Sequence, residues 1–267
     1  MTTLGIGAEA HRRLSSRRTA EIVADELRQQ IIDGRIADGD LLPGQKQLVE
    51  QLNVSLVSVR EALRILETEG LVSVRRGNRG GAVVHAPAKA SAAYMLGLVL
   101  QSDSVPVADL RVALHELEPS CAALAAMRPD RLTTLVPELI SSNEAMAANI
   151  HDSAKFSEIG REFHHELARG CGNYTMVAVM GSLEALWRSQ EREWFDVAED
   201  ANAFPTLVKR RAVLSAHVKL TEAIEAGDVD RARKLAFKHV GEAHTYALPD
   251  SSDQRIRAMS PQASRAR

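Results

Sequence analysis

Apolar residues recur every three to four positions over most of this chain and alternate almost nowhere, which predicts a helical protein with very little strand. Ala20, Val23, Ala24, Leu27 and Ile31 mark the inner face of a first helix that stops at Asp33-Gly34. After the turn "DGD" at 38–40, Lys46 to Leu52 forms a short second helix with Leu48 and Leu52 one turn apart. Asn53 suits a left-handed turn, and Ser55 is placed to cap a third helix that carries Val59, Ala62, Leu63 and Leu66 on one face. Gly70 ends that helix, and "LVSV" and "AVV" read as two short strands around "RRGNRGG", whose glycines permit a tight reversal. The unit is a helix, a helix-turn-helix and a wing.

Beyond "HAPAKAS", a proline and alanine linker, the 3.6 period returns. Helices are predicted near 90–101, 107–127, 130–149, 153–170, 174–199, 205–226 and 228–246, bounded by "RP" at 128–129, "GCGN" at 170–173, Pro205 and "GD" at 227–228. The fold class is therefore mostly α: a winged helix-turn-helix domain at 17–86, a linker and first helix at 87–105, and an all-α antiparallel bundle at 106–247. Residues 1–16 are expected to form a flexible arm. Residues 248–267 lack apolar periodicity and are expected to be disordered.

Composition narrows the class without deciding it. The 267 residues are 45% hydrophobic and 25% charged, ordinary for a globular protein with room for two cores. The formal net charge is -2, so a nucleic-acid surface has to come from local arrangement. Residues 1–87 hold 12 Lys and Arg against 11 Asp and Glu, but Arg75, Arg76 and Arg79 fall together beside Gly77 in the wing. Cys121 and Cys171 give no disulfide framework, and the longest apolar run, "AYMLGLVL", is far below a membrane span, so a soluble cytoplasmic protein is expected.

In the first part, a third helix exposing Ser55, Leu56, Ser58 and Arg60 fits the major groove of double-stranded DNA, flanked by Lys46 and by Arg75, Arg76, Gly77 and Arg79 of the wing. The alternative on pattern alone is a small helical subdomain with a solvated charged face. The segment "GDLLPGQKQLVEQLNVSLVSVREALRILETEGLVSVRRGNRGGAVV", residues 39–84, resembles the winged-helix domain of the GntR family of bacterial transcription regulators. The resemblance runs through Leu42-Pro43, Leu48, Val54-Ser55, Val59 to Leu63, Leu66, Glu69 to Leu71 and Gly77. It implies a homodimer on a two-fold operator. Gln45 stands where the family usually has Glu, and Leu56 where it usually has an Arg that contacts DNA. An apolar Leu56 suits a thymine methyl, which leaves more of the contact to Lys46, Arg60 and the wing.

In the second part, His217 lies ten residues before Gly227 and His239 twelve after it, so across an antiparallel hairpin their imidazoles come level. His164 borders the inner stripe of Phe156, Ile159, Phe163 and Leu167, whereas its neighbour His165 points to solvent. Three imidazoles from three helices suit zinc or nickel with one position open; ordinary core or surface histidines are the alternative. "DLRVALHELEPSCAALAA", "FHHELARGCGN" and "AHVKLTEAIEAGDVDRARKLAFKHV" resemble the ligand-binding domain, FCD, of the FadR subfamily. That resemblance implies a divalent metal on His164, His217 and His239, whose shell an effector carboxylate can complete; Arg111 and Asn173 join the three histidines as candidate effector-binding residues. The family's fourth ligand is an Asp, and this chain has Gly160 there; its usual Arg is replaced by Leu114, with Arg111 one turn earlier as a carboxylate fork or as a solvated partner of Asp109 or His115.

The function expected is a DNA-binding transcriptional regulator controlled by a small organic acid or fatty acyl effector, with Met176, Val177, Met180, Leu183 and Leu186 as either an acyl chamber or plain core. The rival is a metal-dependent hydrolase on the three histidines. Glu162 and Glu166 are turned away from His164, and no nucleophile motif such as G-x-S-x-G is present.

Overall fold

The computed structural model describes residues 8–74, 81–87, 89–201, 205–247 and 254–259, with side chains from Arg18 onward and not over 191–201 or 242–247. The chain divides into two compact units, Met1–Ser91 and Ala92–Arg267.

The first unit begins with α1 (Ala8–Ile32), whose backbone is already helical over residues 8–16, where a flexible arm was expected. Val23, Ala24, Leu27 and Ile31 of α1 are buried against α3 (Leu56–Thr68). Between them lies α2 (Gln45–Leu52). The turn from α2 to α3 depends on Asn53, which adopts φ 50°, a left-handed conformation that Asn tolerates better than most residues. Arg28 closes the back of the unit by donating through Nη2 and Nε to both carboxylate oxygens of Glu69, at 2.7 and 2.8 Å. Two strands follow, β1 (Val72–Val74) and β2 (Ala82–Val84), antiparallel with Ser73 opposite Val83. Leu41 adds an isolated bridge to Val83, so the wing is anchored from both sides.

The second unit contains α4 from Ala92 (Lys89–Ser102 in full), α5 (Val107–Met127), α6 (Arg131–Thr134), α7 (Val136–Ala148), α8 (Ser153–Arg169), α9 (Tyr174–Ala201), α10 (Leu207–Glu225) and α11 (Val229–Ala247). Its organising contact is α5 on α11. Ala122, Ala125 and Ala126 are buried with Ala232 and Ala236, and these small side chains let the two backbones approach closely. Arg233 donates to Ser120 at 3.2 Å and His115 pairs with the Phe237 carbonyl at 3.1 Å, so α5 and α11 run antiparallel. Helices α10 and α11 form an antiparallel hairpin around Gly227, at φ 71°. Consequently α5 and α10 are parallel.

Two expectations need correction. The helix expected at 130–149 is two helices, α6 and α7, that meet at Leu135. Pro137 has no N–H to continue the ladder across that junction, and the buried Leu135 fills the space left beside Gly170. The tail is not disordered throughout: residues 254–259 dock on this unit. Val107 N–H donates to the Gln254 carbonyl at 2.8 Å, Ile256 N–H to the Val105 carbonyl at 3.0 Å, and Ile256 is 1% exposed. Gln190 holds the next residue, accepting from Arg257 N–H and donating to its carbonyl, both at 2.9 Å.

Candidate functional site: a histidine cluster and an exposed helix

The hairpin geometry brings two histidines level, and α8 supplies a third. His217 Nε2 lies 2.8 Å from His239 Nε2, which lies 3.3 Å from His164 Nε2. One ligand atom from each of the three lies within 4.8 Å of the others. His217 is fully buried, His239 nearly so, and His164 half-buried. The Phe163 ring stacks on His217 at 3.9 Å and 9°, which fixes the imidazole plane and removes water from one face. Burial pushes the His217 imidazole well below its ordinary value, and the neighbouring His239 and His164 push it further, so it is neutral near pH 7.

Two further residues complete the cluster, and neither was among the expected site residues. Glu118, on α5 and 5% exposed, lies 2.5 Å from His164 Nδ1. With Nδ1–H donated to the carboxylate, the lone pair of His164 is on Nε2, facing the other rings. The signal for Glu118 was present in the chain: an acid on the same stripe as Leu114, Cys121, Ala122 and Ala125, where a solvated charge has no place. The second is Met146 of α7, whose Sδ is 3.2 Å from His217 Nδ1. A Cβ added at Gly160 would meet Met146 Cε at 3.4 Å. The space in front of Gly160 is therefore occupied by a thioether.

The donor set fits a divalent cation. Four-coordinate zinc with bonds of about 2.0–2.1 Å places ligand nitrogens about 3.4 Å apart, close to the His239–His164 separation. The His217–His239 contact is shorter, at N–H···N hydrogen-bond length, and would open by about half an ångström around an ion. His164, His217 and His239 would hold the ion, with Glu118 orienting His164 from behind.

The other sequence-derived positions fall differently. His165 is not simply solvated: it is half-buried, and its Nδ1 lies 2.9 Å from Glu184 of α9. Asn173 is exposed and caps α9, its side-chain oxygen accepting from Met176 N–H at 3.1 Å. Arg111 is half-buried on α5, two turns before Glu118. Met180, Leu183 and Leu186 are buried in the core with Leu110 and Leu114, and Met176 and Val177 pack against them.

In the first unit, Ser55 caps α3, accepting from Ser58 N–H at 3.1 Å. Ser58 is 2% exposed and its hydroxyl meets that of Ser55 at 2.9 Å, so it is structural and not on the outer face. The exposed face is formed instead by Ser55, Leu56, Val57 and Arg60, with Leu56 38% and Val57 66% exposed. Arg60 Nε donates to Gln45 Oε1 at 3.1 Å, joining α3 to α2, where Lys46 is exposed. Arg75, Arg76, Gly77 and Arg79 lie outside the described residues.

Comparison with known proteins decides the class. The family model described as "Bacterial regulatory proteins, gntR family" matches residues 19–84, and the FCD domain model matches residues 109–242, half of the chain. The chain belongs to the GntR family of regulators, with an FCD domain. This regulator is similar to the HTH-type transcriptional repressor NanR of Cronobacter sakazakii, at 28% identity over 241 residues and 88% of both chains. It is likewise similar to NanR of Edwardsiella tarda, at 27% identity over 258 residues, 93% of this chain and 95% of the relative. A solved structure, Streptococcus agalactiae GntR, shares the fold with a TM-score of 0.62 at 23% identity, covering 84% of this chain and 98% of that one. The regulator is a DNA-binding transcription factor with an effector domain, and the hydrolase expectation falls with that assignment. Among the described residues, no helix is long and apolar enough to cross a membrane.

Proposed function

We propose that this regulator is a homodimeric repressor whose operator affinity is set by a small organic acid bound at a divalent metal, zinc or nickel, on His164, His217 and His239. The observation that carries the reading is the convergence of three Nε2 atoms beneath the buried carboxylate of Glu118. A bound ion supplies a fixed positive charge and an open coordination position for a carboxylate oxygen. The protein supplies everything else: Phe163 and Met146 hold His217, Glu118 holds His164, and the apolar surroundings keep water out. Met180, Leu183 and Leu186 being core, an acid of few carbons is favoured over a fatty acyl chain.

The exposed end of α3 reads the operator. Ser55 and Arg60 provide polar contacts, Leu56 and Val57 apolar ones to thymine methyls, and Lys46 and the wing arginines pair with phosphates. A single module of this size buries too little for specific binding, so two copies act on a two-fold site. The acid changes DNA binding by favouring one arrangement of the dimer over the other.

Elemental analysis of the purified protein, with a DNA shift assay on its own upstream region, tests the proposal. Near one zinc or nickel per chain is expected, lost in His217→Ala, with a shift that organic acids release in wild type and no longer release in the variant. Metal-free wild type, together with an unaltered acid response in His217→Ala, overturns it.

A further inference from the structure

The histidines are not the only polar groups that α10 carries inward. Arg210 lies seven residues, or about two turns, before His217, on the stripe that continues through Leu220 and Ile224. It is 9% exposed, and its Nε and Nη1 are buried without a hydrogen-bond partner. A guanidinium keeps its charge at every accessible pH, and burying its donors without an acceptor is costly. Buried polar groups in folded proteins nearly always have partners, so an orphaned pair of N–H groups on this face points to an acceptor that arrives from outside.

The position of Arg210 within the unit says which acceptor. Helices α5 and α10 are parallel, since both run antiparallel to α11. Arg111 stands seven residues before Glu118 on α5, as Arg210 stands seven before His217 on α10. Both arginines therefore lie on the N-terminal side of the histidine cluster along the parallel helices, and the pairings across α11 put Arg111 nearer the histidines than Arg210. Seven residues at a rise of about 1.5 Å put Arg210 about 10 Å along the axis from His217. That is a backbone separation, of which the long Arg210 side chain covers part, so a short diacid bridges the rest.

We propose that Arg210 is the second anchor of the effector pocket, and that the effector is a dicarboxylate of about four to six carbons, one carboxylate on the histidine cluster and the other on the guanidinium. The inference rests on the reading that this unit takes its acid at the histidines. A bidentate pairing with the planar guanidinium fork distinguishes the second carboxylate from a methyl or hydroxyl in that place.

The test is calorimetric titration of the full chain with succinate, glutarate and adipate, each against the monoacid of equal length, butyrate, pentanoate and hexanoate. In wild type, at least one diacid is expected to bind about 10- to 100-fold tighter than its monoacid, as for loss of one charged hydrogen-bonded pair. Arg210→Gln is expected to remove that ratio while leaving the monoacid affinity within a few-fold. His217→Ala, in contrast, is expected to abolish binding of diacid and monoacid alike; if it does not, the histidine reading fails while the ratio still reports on Arg210. A ratio near one in wild type, or a diacid affinity unchanged in Arg210→Gln, overturns the proposal. A ligand-free measurement guards against variants that merely misfold. Arg210→Met is expected to raise the melting temperature, because it removes an unsatisfied buried charge of similar volume; an unchanged or lower value means the guanidinium is already satisfied and also overturns the proposal.

Discussion

At the scale of single residues, the cluster has a carboxylate behind His164 and none at position 160. Gly160 offers no side chain and Met146 occupies the space before it, while Glu118 reaches His164 from α5. Glu118 sits behind the ring, so its effect is on tautomer and basicity. Glu118→Gln is expected to weaken zinc or nickel affinity by about 10- to 100-fold, read by competition with a chromophoric chelator, with helicity unchanged; an affinity equal to wild type would show that the carboxylate does not orient His164. The histidine positions were legible because level residues across a hairpin follow from turn position alone. Glu118 was visible as an acid on a core stripe, whereas Met146 was not, since nothing in a sequence tells a core thioether that touches an imidazole from one that does not. The buried His217 also sets a pH dependence. Its folded value is depressed, so above about pH 6.5 it is neutral in both states, and below that the unfolded chain takes up a proton the folded chain refuses. Stability of metal-free protein should therefore fall as pH drops from 6.5, with a contribution approaching about 1.4 kcal/mol per pH unit. Urea titrations between pH 7 and 5 should show a shallower fall in His217→Asn; an identical fall would assign the dependence elsewhere.

At the scale of elements, the helices were legible and the seams between them less so. The 3.6 period gave α5, α8, α10 and α11 nearly to their ends because each buries a continuous stripe. The α6–α7 break follows from Pro137, and the period across it hid the change of direction. Residues 254–259 escaped for a different reason: they are held by backbone pairing at Val105 and Val107, by Gln190, by Gln101 accepting from Ala258 N–H, and by a single buried side chain, none of which leaves a periodic trace. Ile256 nonetheless belongs to the same buried core as Trp187, Leu186 and Leu110, so Ile256→Ala is expected to cost about 2–4 kcal/mol. Chemical denaturation followed through tryptophan fluorescence measures it. A loss below about 0.5 kcal/mol would mean that the segment rests on the surface. The cap at Ser55 is smaller in scale: Ser55→Ala is expected to destabilise the first unit by about 1 kcal/mol, and the accompanying loss of DNA affinity has to be corrected for it.

At the scale of the whole molecule, near-neutral net charge makes DNA affinity a local property, carried by a few cations on one face. Lys46 is exposed on α2, so Lys46→Ala is expected to lower the magnitude of the log-affinity against log-salt slope by about two per dimer, one for each copy, uniformly across operator variants. An unchanged slope would take Lys46 out of the interface. The coupling between the units is bound by a stricter condition. If a saturating diacid weakens operator binding by some factor, thermodynamic linkage requires operator DNA to weaken diacid binding by the same factor. For a regulator that acts by release, a typical coupling of 1–3 kcal/mol corresponds to about 5- to 150-fold in each direction. The two factors come from independent measurements: a DNA shift titration with and without diacid, and calorimetry of the diacid with and without saturating operator. Agreement within error establishes that the histidine and arginine pocket is the site that communicates with α3. A large effect of diacid on DNA binding with none of DNA on the calorimetric site would place the controlling ligand elsewhere in the molecule.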